Sequence, residues 1–533
     1  MQESGTSFPS KMDHIKLLQS KGLEELVSLF TIVLEIAETI KANGGKALLV
    51  GGSVRDYFFG LIPKDYDLEV YNIEAERLKE IISPFGSVSE VGRSFGVLKL
   101  RAGLDDIDTS IPRIDSKTSE GHKGFSVNIN PFLTVKEAAQ RRDFTINSIA
   151  ADPLTGEIFD EYDGLKDIKL RVLKVTHRKL FMDDPLRVLR AVQFIGRFGL
   201  SIEQNSRIVI TETAKRLNEI SSDRFFEEFK KLLIKSSKPS LGLMSAKSLG
   251  VFDVFFPHFN LMQQTMQDQE WHPEGDVWTH TLMVVDEASR VLREINVDDE
   301  KKIVIMLAAL LHDVGKPETT FVNADNRVIS PGHEAVGKVK AKEFLEKINV
   351  PNEIKEKVLK LVIYHMIPGQ FYKEHLKGQT VTDSAIRRLA TKLSPATIED
   401  LIMVSHADSF GRSVDIDRSK YNAGIWLTEL SQKIGVNLKQ PDGIIKGRDL
   451  ILQGFTPGKS LGDIISLSER IRNLQEELNL IDDAGFIVSK EYLLEVVKEC
   501  KFNGSAIITL KKKAIEIISK IRTLRKDLRT KKS

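Results

Sequence analysis

Leu49-Val50-Gly51-Gly52-Ser53-Val54-Arg55-Asp56 runs from an apolar segment through paired glycines into a helical pattern, and about a dozen residues later comes Asp65-Tyr66-Asp67-Leu68-Glu69-Val70. Ala47 to Val50 reads as a short strand. Glycines directly after a strand let a phosphate approach the backbone, and the helix that follows offers N–H donors and a positive dipole end. Arg55 adds a planar fork for phosphate oxygens. By itself the glycine pair is equally a tight turn. In a strand over Asp65–Val70 side chains alternate, so Asp65 and Asp67 share a face, with Leu68 and Val70 among the apolar set on or near the other. Neighbouring carboxylates repel, a cost that a cation offsets. Asp106 and Asp108 share a face of the next acidic segment, Asp106–Ile111, beside a strand over Val97–Arg101. A third carboxylate from this neighbouring segment, Asp106 or Asp108, would complete a cage for two divalent metals. Such a cage activates an attacking hydroxyl and neutralises a leaving pyrophosphate. An Asp-x-Asp alone is more often a pair of solvated acids, and the glycine turn upstream is what gives this one weight.

Working outward, residues 22–42 read as an amphipathic helix ending at Asn43-Gly44-Gly45. From about Asp183 onward helical periodicity takes over and strand signals nearly vanish. The expected class is α+β: a small α/β head followed by a mainly α-helical body. A chain of 533 residues suggests two or three domains, and 41% hydrophobic residues support globular packing. Net charge is +2, so contacts to nucleic acid must come from local patches. One cysteine, Cys500, excludes a disulfide framework and fits a reducing cytoplasm. The first twenty residues carry no secretory pattern. The apolar run Val27–Leu34 falls short of the roughly 20 residues that cross a bilayer. A cytoplasmic protein without membrane contact is expected. From Leu510 to Ser533 ten Lys/Arg face two acidic residues, with Ile517, Ile521, Leu524 and Leu528 on one stripe. That is a basic amphipathic helix suited to RNA phosphates, or equally a solvated or self-associating one.

The glycine turn and the paired acids resemble the head of class II tRNA nucleotidyltransferases and bacterial poly(A) polymerases. The likeness continues through Gly121-His122-Lys123-Gly124-Phe125, Arg141-Arg142-Asp143-Phe144-Thr145-Ile146-Asn147, Asp163-Gly164 and Asp184-Pro185-Leu186-Arg187-Val188-Leu189-Arg190-Ala191, in family order. The resemblance implies that Asp65 and Asp67 hold catalytic Mg2+, with Asp108 as the matching third acid. It also implies that Gly51, Gly52 and Arg55 meet the triphosphate, and that Arg141, Arg142 and Asp143 contact the nucleotide and its ribose. Asp184-Pro185 reads as a helix start, with Asp as N-cap and Pro at the first helical position. Arg187, Arg190 and Arg197 then return near one face. Cytosine and adenine both show an exocyclic amino donor beside a ring-nitrogen acceptor, whereas uracil and guanine reverse the order. An acceptor, Asp184, beside a donor, Arg187, therefore matches the first two bases. In the resembled family these residues read CTP and ATP in place of a template. Two positions depart from it: Asp183 stands where Glu is frequent, and Gln193 where many relatives carry another Arg.

A second constellation lies in the body. The continuous apolar stretch Ile303–Leu311 delivers His312-Asp313, and a buried carboxylate demands partners. With His280, His333, His365 and Asp408, and the stretch Trp271-His272-Pro273-Glu274-Gly275-Asp276-Val277-Trp278-Thr279-His280, the pattern resembles the HD phosphohydrolase superfamily. The resemblance implies a core metal site at His280, His312, Asp313 and Asp408, with His333 and His365 as added ligands of two-metal versions. Imidazole and carboxylate suit Ni2+, Mn2+, Co2+, Fe or Mg2+. Hydrolysis of phosphomonoesters or 2′,3′-cyclic phosphates would follow.

The expected organisation is a helical extension over 1–45, a nucleotidyltransferase head over 46–180 and a helical neck over 181–262. An HD domain follows over 263–430, then a helical RNA-binding tail over 431–533, where Gly447-Arg448-Asp449-Leu450 and Pro457-Gly458-Lys459 mark turns into helices. The expected function is addition of C, C and A to tRNA from CTP and ATP, coupled to phosphoester hydrolysis. Rival readings are a poly(A) polymerase, an enzyme adding only C or only A, and an HD hydrolase whose head merely binds RNA.

Overall fold

The computed structural model describes residues 9–530 except 10, 22–23, 64, 91–95, 103–104, 118–124, 414–416, 418–419, 440–442, 483–486, 499 and 501–502. The motif Gly121-His122-Lys123-Gly124 lies outside the described residues. The front of the chain builds a seven-stranded sheet in the order β3-β4-β5-β2-β1-β8-β9. Its strands are β1 Lys46–Val50, β2 Asp67–Tyr71, β3 Ser87–Glu90, β4 Val97–Ala102, β5 Asp105–Ser110, β8 Ala150–Ala151 and β9 Ile158–Phe159. A separate antiparallel hairpin joins β6 Arg113–Lys117 to β7 Phe125–Ile129.

Two short helices precede the sheet, α1 Lys11–Ser20 and α2 Glu24–Ala42. The apolar stripe of α2 places Phe30, Val33, Ile36 and Ile40 in the same core as Leu49, Leu68 and Val70. Through these residues and Leu18 of α1, the two helices are packed into the head's own core. α3 Gly52–Phe58 follows β1 directly, and α4 Ala75–Ile82, α5 Val135–Ala139 and α6 Gly164–Leu170 border the sheet region. α7 Arg178–Asp183 and α8 Leu186–Phe198 lead into the helical body.

Strand β2 begins two residues later than the sequence suggested. Its antiparallel register with β1 runs from Lys46↔Tyr71 to Val50↔Asp67, and β1 ends there because the chain turns into α3. Asp65 therefore has no partner strand and precedes β2, so alternation pairs Asp67 with Glu69 rather than with Asp65. The helix start at Asp184-Pro185 also shifts by one residue. Pro185 occupies the N-cap position, and Asp184 is the C-cap of α7 while its Oδ1 accepts from the Leu186 N–H at 3.1 Å.

Beyond α8 the described strands are only Ser201–Ile202 and the small hairpin Phe321–Val322/Val328–Ile329. The helix Asp299–Leu311 starts on Asp298, whose side chain accepts from the Lys301 N–H at 2.7 Å. Every residue from Ile303 to Leu311 is buried, each large side chain contributing roughly 1.5–3 kcal/mol. That burial fixes His312 and Asp313, at its C-terminal end, in the middle of the helical layer. One apolar core extends from Leu18 to Val436, and a second joins Ile445 to Ile521 between helices Lys459–Asp482 and Asn503–Thr530. Ile517 and Ile521 face that second core and Leu524 packs on it; the Leu528 side chain lies outside the described residues.

Candidate active sites

The first site forms where β1 meets α3. Gly51 adopts φ +69°, a region that favours glycine, and a Cβ there would sit 3.5 Å from Arg142 Nη1 and 3.8 Å from Asp67 Oδ2. The turn therefore brings backbone close to the acid and the arginine together. Arg55, itself buried, donates from Nη1 to Asn147 Oδ1 at 2.7 Å and from Nη2 to Asp56 Oδ1 at 2.6 Å. Its guanidinium lies 4.8 Å from the Phe194 ring centroid. Asp56 Oδ2 accepts in turn from Arg197 at 2.6 Å.

Burial pushes the Asp67 carboxyl up to about 6; Arg142 opposes the shift, and Asp108 and Asp65 add to it. The parallel register Leu68↔Thr109 explains this, because it sets Asp108 beside Asp67. Asp106 instead pairs with Lys99 at 3.0 Å and lies further along the strand, opposite Arg101. Of the two candidates for the third acid, the structure brings Asp108 to the cluster. Three neighbouring carboxylates, which repel one another and offer only oxygen ligands, fit a hard divalent cation.

Glu69, on the same face as Asp67, was not singled out from sequence. It accepts from Arg141 at 2.8 Å, Arg142 at 3.4 Å and the Tyr71 hydroxyl at 2.8 Å. Burial would raise its carboxyl, but Arg142 and Arg141 outweigh that and hold it below the usual range. Asp143 accepts from Arg190 Nε at 2.6 Å and from Asn147 Nδ2 at 2.8 Å. There too burial works upward, and Arg190 and Arg187 prevail, lowering it to about 2.

A cavity of about 300 Å³ joins Gly51, Gly52, Arg55 and Asp67 to Arg142, Asp143 and Arg190, and Gln193, Lys231 and Lys235 also line it. Asp65, Asp108, Arg141, Asp184 and Arg187 lie outside its lining. Asp184 and Arg187 are not arranged as a ready-made pair. Arg224 Nη2 lies 3.2 Å from Asp184 Oδ2, and Arg187 Nη2 donates to the Arg141 carbonyl at 2.8 Å. Arg224, Lys231 and Lys235 come from helix Ser222–Lys235, none of whose residues the sequence motifs singled out.

The second site brings all six expected residues together. His280 Nε2 lies 3.1 Å from Asp408 Oδ1 and 3.3 Å from His312 Nε2. His312 Nε2 is 3.1 Å from Asp313 Oδ2, and His333 Nε2 is 3.3 Å from Asp313 Oδ1 and 3.4 Å from His365 Nε2. Three rings turn their Nδ1–H outward to main-chain carbonyls: His312 to Ala309 at 2.8 Å, His333 to Ser330 at 2.8 Å and His365 to Val362 at 2.7 Å. With those protons committed, the Nε2 atoms face one another and Asp313 as lone pairs. Nitrogen and carboxylate acceptors crowded together fit metal cations, and the ligand atoms of His280, His312 and Asp313, and of Asp313, His333 and His365, form two groups that could hold one. Lys316 offsets part of the charge, 2.6 Å from Asp313 Oδ2. Glu274 holds the His280 Nδ1 at 2.9 Å and His272 at 3.0 Å, the outer partner of a ligating imidazole. Gly315 has no room for a Cβ, which would meet the His333 carbonyl at 2.2 Å. That approach seats His333 against Asp313.

A model of the poly A polymerase head domain matches residues 47–174, one of a probable RNA- and SrmB-binding site of polymerase A matches 199–262, and an HD domain model matches 277–411. The chain is 30% identical over 373 residues to the multifunctional CCA protein of Xylella fastidiosa strain M23, covering 69% of this chain and 84% of that protein. It belongs to the multifunctional CCA protein family. Another member, from Pasteurella multocida strain Pm70, is 29% identical over 419 residues, 77% of this chain and 92% of its own. The fold matches the Bacillus stearothermophilus CCA-adding enzyme in complex with CTP, with a TM-score of 0.57 at 18% identity over 84% of this chain and 93% of that one. It also matches the Thermotoga maritima CCA-adding enzyme complexed with tRNA, with a TM-score of 0.51 at 18% identity over 88% and 95%. This chain combines a nucleotidyltransferase head with an HD domain. Among the described residues no helix is long and apolar enough to cross a membrane.

Proposed function

We propose that this chain adds C, C and A to tRNA 3′ ends from CTP and ATP, and that its HD domain hydrolyses phosphomonoesters or 2′,3′-cyclic phosphates. The observation that carries the first reading is the cavity in which the Gly51–Gly52 turn, Asp67 and the Arg142–Asp143–Arg190 group meet. Asp65, Asp67 and Asp108 would hold Mg2+, which when bound activates the tRNA 3′ hydroxyl and neutralises the departing pyrophosphate. Gly51 and Gly52 leave room for the triphosphate, and Arg55, locked by Asn147 and Asp56, keeps its fork in place without reorganisation. Arg190, held by Asp143, keeps its charge beside the nucleotide. Asp184 and Arg187 read the amino group and ring nitrogen of cytosine and adenine. Arg224 beside Asp184 fixes the carboxylate that does so.

In the second site His280, His312, Asp313 and Asp408 would hold one divalent ion, with His333 and His365 completing a second position. Bound there, a metal such as Ni2+, Mn2+, Co2+ or Mg2+ acidifies a water for attack on phosphorus. Glu274 orients His280, and Lys316 stands ready beside Asp313 for a phosphate oxygen. A tRNA ending in a cyclic phosphate lacks the free 3′ hydroxyl that the head requires, so hydrolysis would restore its substrate.

The test is incubation with tRNA lacking its terminal CCA and each labelled nucleoside triphosphate in turn. Incorporation of C, C and A followed by a stop is expected. Long A tails would place the chain with poly(A) polymerases, and no incorporation would reduce the head to an RNA-binding module.

A further inference from the structure

A cavity of about 600 Å³ opens from the histidine–aspartate cluster to the surface, touching Asp313, His333 and Asp408 at its inner end. Toward its mouth lie two large apolar side chains that the fold does not use, Trp271, 51% exposed, and Met366, 38% exposed. Burying an indole is worth more than burying any aliphatic side chain, so a half-exposed one at a cavity mouth is a surface kept for something else. The loop that carries it is tied down. Arg327 donates to Asp268 at 2.6 Å and pairs with Glu270 at 2.8 Å, and the Trp271 N–H donates to the Asp268 carbonyl at 3.1 Å. The next residue, His272, packs its ring 4.5 Å from that of His280. The indole is therefore held one residue from the cluster. Three cations, Lys316, Lys373 and Arg412, line the same cavity, and Lys373 Nζ lies 5.3 Å from the indole centroid.

A hydrolase for small phosphoesters needs the cluster and the cations but no flat apolar surface beyond them. Cations beside metal ligands call for a phosphate, and a rigid aromatic face at the far end calls for a second flat ring. The cavity is of the size that holds a drug-sized ligand. We propose that Trp271 is a specificity-determining residue of the HD site, stacking the nucleobase of a terminal nucleotide whose phosphate lies at Asp313 and His333. This rests on the phosphohydrolase reading above.

The experiment compares 2′,3′-cyclic AMP with glycerol 1,2-cyclic phosphate, which has the same reactive ring and no base, in the wild type, Trp271→Ala and Trp271→Phe. Base–aromatic stacking predicts that Trp271→Ala raises KM for the nucleotide about 5- to 100-fold, leaves kcat within about twofold, and leaves glycerol 1,2-cyclic phosphate unaffected. Trp271→Phe should recover most of the loss. Equal shifts for both esters, or none for either, overturn the proposal. Should the wild type hydrolyse neither, the phosphohydrolase reading fails separately. Binding then decides: with the head saturated by CTP, 3′-AMP quenches tryptophan fluorescence in the wild type and not in Trp271→Ala. Absence of that quenching in the wild type, or its survival in the variant, also overturns the proposal.

Discussion

Glu274 shows how much one side chain outside the ligand sphere contributes. Its Oε1 receives both His280 Nδ1 and His272 Nδ1, and with the first it aims the His280 Nε2 at Asp408 and His312. Glu274→Gln keeps the shape and removes the charge, so metal affinity of the HD site should fall about 10- to 100-fold by calorimetric titration, with nucleotide addition unchanged. In the head, Asp184→Ala is expected to admit UTP or GTP by removing about 1–3 kcal/mol of discrimination; competition between labelled triphosphates measures it. Unaltered base choice would remove Asp184 from that role. At this scale the acids and histidines were named from motifs whose order resembles known families, whereas the strand alternation that paired Asp65 with Asp67 did not hold. Glu69 and Arg224 were not named. Glu69 gains its meaning only when the strand pairing brings it to Arg141 and Arg142, and Arg224 only when a helix 40 residues away docks at Asp184.

Helices and strands position those residues, and two of them offer tests. Gly315 lets the chain after Asp313 pass directly under helix His333–Lys347. Gly315→Ala forces a Cβ onto the His333 carbonyl, an overpacking that typically costs about 1–3 kcal/mol. It should remove HD hydrolysis while CCA addition persists. Helix α1 docks on the head through His14, whose Nε2 lies 2.8 Å from the Tyr66 hydroxyl, and burial pushes the imidazole from 6.5 down to about 4. Between those values the unfolded chain takes up a proton that the folded chain refuses. Stability therefore falls as pH drops through that window and is unaffected above it. His14→Phe should remove that part of the pH dependence, up to about 3 kcal/mol between neutral pH and pH 4, by denaturant unfolding at each pH. The sequence showed these elements where periodicity is long, as in residues 22–42 and Ile303–Leu311. It misplaced their ends where partners decide them: β2 starts at Asp67 because β1 stops at Val50, a fact of pairing that no local pattern contains.

Across the whole chain, one continuous core carries both centres, from Leu18 to Val436, and a second core closes the C-terminal helices on each other. The basic stripe of the last helix follows the same division. Its apolar side, Ile517 and Ile521, serves the second core, and Lys511, Lys512 and Lys520 lie exposed on the outside. Two chemistries on one scaffold need not share residues, and here the head cluster and the histidine–aspartate cluster have none in common. Labelled CMP incorporation into tRNA lacking CCA, measured beside bis(p-nitrophenyl) phosphate hydrolysis on the same preparations of wild type, Asp67→Ala and His312→Ala, is the most direct test. Asp67→Ala should lose incorporation, by more than about 100-fold on the scale of a lost transition-state charge contact, and keep hydrolysis; His312→Ala should do the reverse. Incorporation surviving in Asp67→Ala would contradict the account.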